Sequence, residues 1–590
     1  MCGIVGCIGK IDVRDYLMEG LYALDYRGND SAGIAFIENK KIEVSKYHGP
    51  IANLDSNTKR NLETNIGIGH TRWATHGVPN DLNAHPHLSN SKQFALAHNG
   101  SIENYKEFKN KLIGHGFSFL SETDSEVIVN LIEFYYRETP DILKVLNRIE
   151  KEMHGSYAIA LLNNNEPNKI FFLKKQSPLI VGICEGVTLL ASDAAPMIKK
   201  TGKFIDLEDG QYGYIEENGY QIFKNNQKSE AVFSKKEAEL LTRNLDGYPH
   251  FMLKEIEEIT KALTRLVGNY YVDNHYQFDP ELLKEIAEAE TIVFVACGTS
   301  YHASLVGARY FESIGKNAHV YIASEFAYYP KKSNQKTFYI MLSQSGETAD
   351  LVKCQKLLQC EGKDILVITN TKGSILERNA KYSLLLYAGL EVAVASTKAY
   401  ASMVALLALL IGGLKQNPQI VKDLKQCMEI ISHLNEQKEE THQLALKIKD
   451  ASSLFYLGRG YDFDLALEAS LKLKEATYIH SEAFPGGELK HGPIALITDD
   501  IPVIIFISDP HTAEVMRSNA KEVESRGAKV FVISSENLKD PDDAIVVADC
   551  PIYLAPLVKC TIGFYIAYYV ALEKGLNVDK PRNLAKAVTV

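Results

Sequence analysis

Thr291-Ile292-Val293-Phe294-Val295-Ala296-Cys297-Gly298-Thr299-Ser300 runs six strand-forming residues straight into a Gly-Thr-Ser turn, with a helical pattern behind it. A continuous apolar run of this length, closed by a turn and a helix, is the pattern of a strand buried on both faces of a parallel sheet. The arrangement recurs. Phe338–Leu342 leads into Ser343-Gln344-Ser345-Gly346-Glu347-Thr348, Leu454–Leu457 into Gly458-Arg459-Gly460, and Val503–Ile507 into Ser508-Asp509-Pro510-His511-Thr512. The later hydroxyl turn begins at Ser508, 165 residues after Ser343. This reads as an internal duplication of two α/β units with parallel sheets. Only the earlier copy has a Ser-x-Ser-x-x-Thr turn, so one ligand site is expected per chain.

The chain has 590 residues, which predicts about three to five domain-sized units rather than one core. Hydrophobic residues make up 46% and charged residues 23%, which sets aside disordered, collagenous and disulfide-scaffold classes. The net charge is −10 and no basic run could hold a phosphate backbone, so nucleic acid is excluded as a partner. Nine cysteines are scattered with no C-x-x-C pair, which favours buried thiols, a reducing cytoplasmic location and no zinc knuckle. The longest uncharged run, between Lys398 and Lys415, is interrupted by Ser402 and Gly412-Gly413 and reads as a buried core helix rather than a membrane span. At the N-terminus the apolar residues precede the charged ones, the reverse of a secretory signal.

Ahead of the duplicated part, short strands (Cys2–Ile8, Ile34–Ile37, Phe94–His98, Ala158–Leu162, Lys169–Leu173) alternate with amphipathic helices such as Val13–Leu24, a layered α+β pattern. Residues 216–247, rich in Glu, Asn, Lys and Ser, mark its end. The expected divisions are 1–230, a linker at 231–247, α/β units at 248–425 and 426–575, and a tail at 576–590. Cys2 follows the initiator Met, so removal of one residue places a thiol and an α-amine on one residue. An α-amine titrates near 7.7–8.0 and can serve as the base of its own thiol.

The residues downstream resemble the class II (N-terminal nucleophile) glutamine amidotransferases: Cys2-Gly3-Ile4-Val5-Gly6, Tyr26-Arg27-Gly28, Asp30-Ser31-Ala32-Gly33, Gly69–Gly77, Asn83–His87, His98-Asn99-Gly100 and Glu122–Glu126. The resemblance implies a layered αββα N-terminal nucleophile hydrolase domain in which Cys2 attacks glutamine. Arg72 would take the glutamine α-carboxylate and Asp124 its α-ammonium, with Arg27, Trp73, Thr75, His76 and His85 around them. Asn99 and the Gly100 N–H would form an oxyanion hole. By itself an Asn-Gly step after an alternating strand reads as a turn. His85 and His87 bracket a proline without a third metal ligand nearby, so they suit a pocket wall. Asn29 departs from the family's usual Tyr.

In the duplicated part, the turns at Thr299/Ser300 and Ser343/Gln344/Ser345/Thr348 offer hydroxyls and helix-terminal N–H groups to an anion. They resemble the sugar isomerase (SIS) domain, whose Ser-rich turn grips a sugar phosphate. On the helix expected at Asp464–Thr477, Glu468, Lys472 and Glu475 share one face, a spacing common to a solvated charge stripe and to a proton-transfer site. His480–Ala483, Gly487–Pro493 and Pro581–Val590 extend the likeness. The whole order resembles the glutamine:fructose-6-phosphate amidotransferase family.

That resemblance implies Glu475 as proton carrier, with Glu468 and Lys472 in support, Lys586 as Schiff-base lysine, and His491 donated by the neighbouring subunit of a homodimer. Glu347, Val394, Ala395 and Ser396 would line the sugar site. It implies L-glutamine and fructose 6-phosphate as substrates and no metal or organic cofactor. Ala587, the end at Val590, and Glu258-Ile259-Thr260 in place of Glu-Gln-Pro depart from the family pattern. The alternative is a sugar-phosphate sensor with an inactive glutaminase domain, against which the joint presence of Cys2, Arg72, Asn99, Asp124, Glu475 and Lys586 argues.

Overall fold

A computed structural model describes residues 2–28, 30–74, 76–235, 244–331, 336–436 and 438–588. The chain divides into two compact units, Met1–Thr242 with Ala587–Val590, and Arg243–Lys586.

The first unit is built on two antiparallel sheets. One has eight strands, with Gly3–Gly9 flanked by Ile66–Arg72 and Val187–Ala191 at its centre. The other has seven, with Phe94–Ile102, Gly155–Asn163 and Ile170–Lys175 adjacent. Period-two alternation decides the layers. On Gly3–Gly9, Ile4 and Ile8 join Ala95, Ala97, Ala158 and Ala160 in the core between the sheets, whereas Val5 and Cys7 face the helix Val13–Leu24. On the second sheet Phe94 and Leu96 point the other way, onto the helices Asp124–Glu138 and Ile142–Glu152. The result is the αββα layering expected from the sequence. Val13–Leu24 has the expected bounds, and its first turn is capped by the Asp12 carboxylate, which accepts from the Asp15 N–H at 2.9 Å.

The second unit contains two five-stranded parallel sheets. In the first the order is Asn317–Ile322, Thr291–Ala296, Thr337–Ser343, Ile365–Thr369, Tyr382–Leu385; in the second it is His480–Pro485, Ser453–Gly458, Pro502–Ile507, Lys529–Ser535, Ile545–Val547. Both therefore follow the doubly wound order 2-1-3-4-5, which opens a crevice at the carboxyl ends of strands 1 and 3. The strand Thr291–Ala296 falls where its apolar run predicts. The helix expected at Asp464–Thr477 begins earlier, at Tyr461.

One apolar core joins the two sheets through Lys398–Lys415 and Ala555–Glu573. By length and composition either helix could cross a membrane, but 89% and 100% of their apolar windows are buried within the unit, so both serve as its core. At its N-terminal side, helices Phe251–Glu257 and Ile259–Tyr270 meet at Glu258, where the sequence departs from Glu-Gln-Pro.

Candidate active sites

Antiparallel pairing of Gly3 with Thr71 places Cys2 beside the end of the strand Ile66–Arg72. The Trp73 N–H donates to Cys2 Sγ at 3.2 Å, and the thiol faces the Trp73 carbonyl at 3.5 Å. Burial pushes the Cys2 thiol up from its ordinary range, while the chain's N-terminal ammonium and the Trp73 N–H pull it back. A Cβ on Gly3 would lie 2.8 Å from Leu24 Cβ, so only glycine fits next to this cysteine. Asp30 clamps the peptide units on either side of Trp73: its N–H donates to the Arg72 carbonyl at 3.0 Å and its Oδ2 accepts from the Ala74 N–H at 2.8 Å.

Arg72 is buried. Its Nη2 donates to the carbonyls of His76 and Gly77, but Nη1 has no hydrogen-bond partner among the described residues. A desolvated guanidinium N–H without an acceptor suits an incoming carboxylate. Asp124, at the start of its helix, accepts from the Ile102 N–H at 2.9 Å and the Ser125 hydroxyl at 3.4 Å.

Asn99 and Gly100 lie inside the strand Phe94–Ile102 rather than in a turn, opposite Ala158 and Tyr157. Gly100 holds φ 127°, and a Cβ there would meet the Ser156 carbonyl oxygen at 2.0 Å. Asn99 Nδ2 donates to Ser192 Oγ at 2.8 Å, and the same oxygen accepts from the Ile4 N–H at 2.8 Å. Asp193 pairs with Arg27 at 3.1 Å. Ser192 and Asp193 were missed from the sequence; their only signal is a strand end, Val187–Ala191, that pairs with the Cys2 strand.

The histidines His70, His85, His87 and His98 pack against one another. His70 and His85 stack at 4.1 Å, His85 and His87 lie edge-on at 4.7 Å, and His85 Nδ1 accepts from the His98 N–H at 3.2 Å. All four are buried, and desolvation pulls each below the ordinary imidazole range, His70 to about 3. They are neutral packing groups, and His85 faces other histidines. Among the described residues no cluster of three or more His, Cys, Asp or Glu is placed to hold a metal ion. His76 lies edge-on to Tyr105 at 5.4 Å. Thr75 and Asn29 fall outside the described residues.

In the second unit the crevice of the first parallel sheet is lined by the two expected turns. Ser343 Oγ accepts from the Gly346 N–H and lies 3.0 Å from Thr348 Oγ1; Ser345 Oγ accepts from the Glu347 N–H at 3.2 Å. The Gln344 carbonyl accepts from the Asn370 N–H, and Glu347 Oε1 from the Ile375 N–H, which tie this turn to the next strand end. Thr299 Oγ1 donates to Glu468 Oε1 at 3.0 Å, and His302 Nδ1 lies 2.8 Å from Glu468 Oε2. The helix Tyr461–Thr477 is thereby joined to the first sheet's turn. Ser300 is buried in the first turn of Gly298–Ser313.

Glu468 and Lys472 are 0% and 1% exposed, which excludes a solvated stripe. Lys472 Nζ is 3.6 Å from Glu468 and paired with Glu475. Burial works against its charge, but Glu475 and Glu468 outweigh it and raise the ammonium above its ordinary range. Lys586 pairs with Glu391 at 2.5 Å and donates to Ser396 Oγ at 3.2 Å. Burial opposes the Glu391 charge, yet Lys586 and the N–H groups of Ala399 and Thr397 hold its carboxyl below the ordinary range.

Glu255 Oε1 accepts from the N–H groups of Val392 and Ala393, while its buried Oε2 has no partner among the described residues; burial and then Glu391 push its carboxyl up to about 8. Val394 donates its N–H to the Asp579 carbonyl at 3.0 Å, Ala395 is fully buried, and His491 is exposed on the short turn Leu489–His491. Glu391, Glu255 and His302 were not found from sequence, because their partners lie far along the chain.

The family model for the SIS domain matches residues 285–412 and 447–544, and that for a glutamine amidotransferase domain matches residues 70–199. The chain is 43% identical over 606 residues, covering all of both chains, to the glutamine–fructose-6-phosphate aminotransferase (isomerizing) of Geobacillus kaustophilus. It is 42% identical over 615 residues, again covering both chains, to the protein of that name from Clostridium perfringens. Among solved structures, the C-terminal domain of glucosamine-fructose-6-phosphate aminotransferase from Francisella tularensis matches with TM-score 0.55 and 30% identity, covering 57% of this chain and 100% of that one. Full-length likeness at this level, with both domain types in one chain, shows the relationship: the chain belongs to the glutamine–fructose-6-phosphate aminotransferase (isomerizing) family.

Proposed function

We propose that this chain hydrolyses glutamine at Cys2 and delivers the ammonia to fructose 6-phosphate, which it isomerises to glucosamine 6-phosphate. With Met1 removed, the Cys2 α-amine takes the thiol proton, and the thiolate attacks the glutamine carboxamide carbon. Asn99 and the Gly100 N–H receive the oxyanion. The amine returns the proton to the departing ammonia, and water releases glutamate from the thioester. Arg72 and Asp124 hold the two charged ends of the amino acid, with Arg27, Trp73 and His76 completing the pocket.

In the second unit Thr299, Ser300, Ser343, Gln344, Ser345 and Thr348 grip the phosphate. Lys586 forms a Schiff base at C2 of the open-chain ketose, which ammonia then displaces. Glu475 carries the proton from C1 to C2, with Lys472 and Glu468 setting its charge. His491 assists ring opening from the neighbouring subunit of a homodimer, and a reducing, cytoplasmic setting suits the free thiols. Residues 1–230 serve as the glutaminase part, 248–425 and 426–575 as the SIS units, and 576–590 as the tail.

The observation that carries the reading is the buried Glu468–Lys472 pair with the half-buried Glu475 on the same lysine: burying charges costs several kcal/mol per ion unless they are paired, and these paired charges stand beside a hydroxyl-rich crevice. Amide-labelled glutamine with fructose 6-phosphate should yield labelled glucosamine 6-phosphate by mass spectrometry. Cys2→Ala should abolish glutamine hydrolysis while still isomerising the sugar, and Glu475→Gln should lower synthesis about 10²–10⁴-fold while leaving glutaminase activity. Unlabelled product, or no amino sugar at all, would refute the proposal.

A further inference from the structure

The two parallel sheets share a backbone device at the crevice. Gly298 and Gly460, each following the first strand of its sheet, both hold a positive φ, 54° and 56°. Two residues later stand Ser300 in the first copy and Asp462 in the second. Ser343 ends the third strand of the first sheet, and Ser508 follows the third strand of the second. The rim that offers hydroxyls in the first sheet thus has a carboxylate and a hydroxyl facing each other in the second.

That carboxylate is held as a bound oxyanion would be. Asp462 Oδ2 accepts from the Ser508 N–H at 2.7 Å, and Oδ1 accepts from the Ser508 hydroxyl at 2.6 Å. Behind the serine lies Lys559, fully buried, whose ammonium donates to Ser508 Oγ at 2.7 Å, the Ile507 carbonyl at 2.9 Å and Ser535 Oγ at 3.1 Å. The Ser508 hydroxyl bridges cation and carboxylate. A buried lysine with all three donors used still needs an anion nearby, because solvation by neutral oxygens alone leaves its charge uncompensated.

We propose that the crevice of the second parallel sheet is an oxyanion site sealed by the chain's own Asp462, which stands where a phosphate or carboxylate ligand would sit and anchors the first turn of the helix bearing Glu468, Lys472 and Glu475. The second parallel sheet therefore takes no sugar phosphate; it spends its anion site on holding that helix. The anchoring half rests on the isomerase roles proposed above. The sealed site does not, since anion binding can be read without turnover.

The test removes the tethered anion and supplies a free one. Asp462→Ala in the full-length protein should melt lower than wild type, and about 50 mM formate or inorganic phosphate should raise its Tm by several degrees, with little effect on wild type. Calorimetry should show one formate site in the variant and none in wild type. Synthesis should recover with the anion in parallel, and glutaminase activity should not respond. The double variant Asp462→Ala/Lys559→Met, which removes both charges, should fold and ignore formate. If Asp462→Ala does not fold alone, recovery of soluble protein in formate reads the same site. An equal response to formate in the single and double variants, or no response in the single variant, overturns the proposal. Formate binding without recovery of synthesis keeps the site and overturns the anchoring role.

Discussion

The two parallel sheets of the second unit have the same strand order, a positive-φ glycine after the first strand and a serine at the end of the third, yet their crevices differ in kind. The first is bordered by Thr299, Ser300 and the Ser343–Thr348 turn, with Glu468, Lys472 and Glu475 brought to it by the helix Tyr461–Thr477. The second is closed by Asp462, Ser508 and Lys559. The fold of each copy rests on its apolar strands, whose burial drives folding wherever the run occurs. What a copy can bind rests on two or three side chains at the switch point. A duplicated fold can thus keep its architecture and exchange a ligand site for an internal carboxylate–hydroxyl–ammonium bridge.

The sharpest way to break this contrast is to weaken each crevice in turn. Ser345→Ala with Thr348→Ala should weaken fructose 6-phosphate binding by about 3–6 kcal/mol, or roughly 10²–10⁴-fold by calorimetry, since each hydroxyl hydrogen bond to a charged phosphate contributes about 1.5–3 kcal/mol. Ser508→Ala with Thr512→Ala should leave that affinity unchanged, and equal losses from both pairs would show two working sites.

A smaller effect sharpens the other side. Ser508→Ala alone should cost about 1–3 kcal/mol of stability in denaturant melts with KM for the sugar unaltered, because it strips the bridge between two buried charges. A change in KM without a change in stability would move Ser508 into the ligand site.

The smallest effect concerns pH. Glu255 ties the segment Val392–Ala393, beside the Glu391–Lys586 pair, and its folded carboxyl is pushed up to about 8 from an ordinary 4.5. Glu391, Lys586 and Lys398 are the charged groups that act on it. Between those values the folded chain keeps a proton that the unfolded chain releases, so this group makes stability fall as pH rises from about 4.5 to 8. Glu255→Gln has no proton to lose. Its Tm should match wild type near pH 4 and exceed it by a few degrees at pH 8; parallel curves would mean that Glu255 does not titrate in this window.

The αββα order came from the family resemblance; a layered α+β first part, the duplicated α/β units, the strand Thr291–Ala296, the helix Val13–Leu24 and the shared face of Glu468, Lys472 and Glu475 were legible in the residues alone. These are local signals: apolar runs, turn residues and side-chain period act within a few residues of one another. Tertiary structure alone decided the rest. Whether Glu468 and Lys472 are solvated or buried depends on the helix Gly298–Ser313 packed against them. Asn99 is oriented by Ser192, 93 residues away, and Lys586 finds Glu391 across 195 residues. Asp462 reads as an ordinary acidic residue near a helix start until Ser508 and Lys559 arrive from other strands and helices. No spacing rule spans such distances, because these partners meet only when the apolar core that carries them has closed.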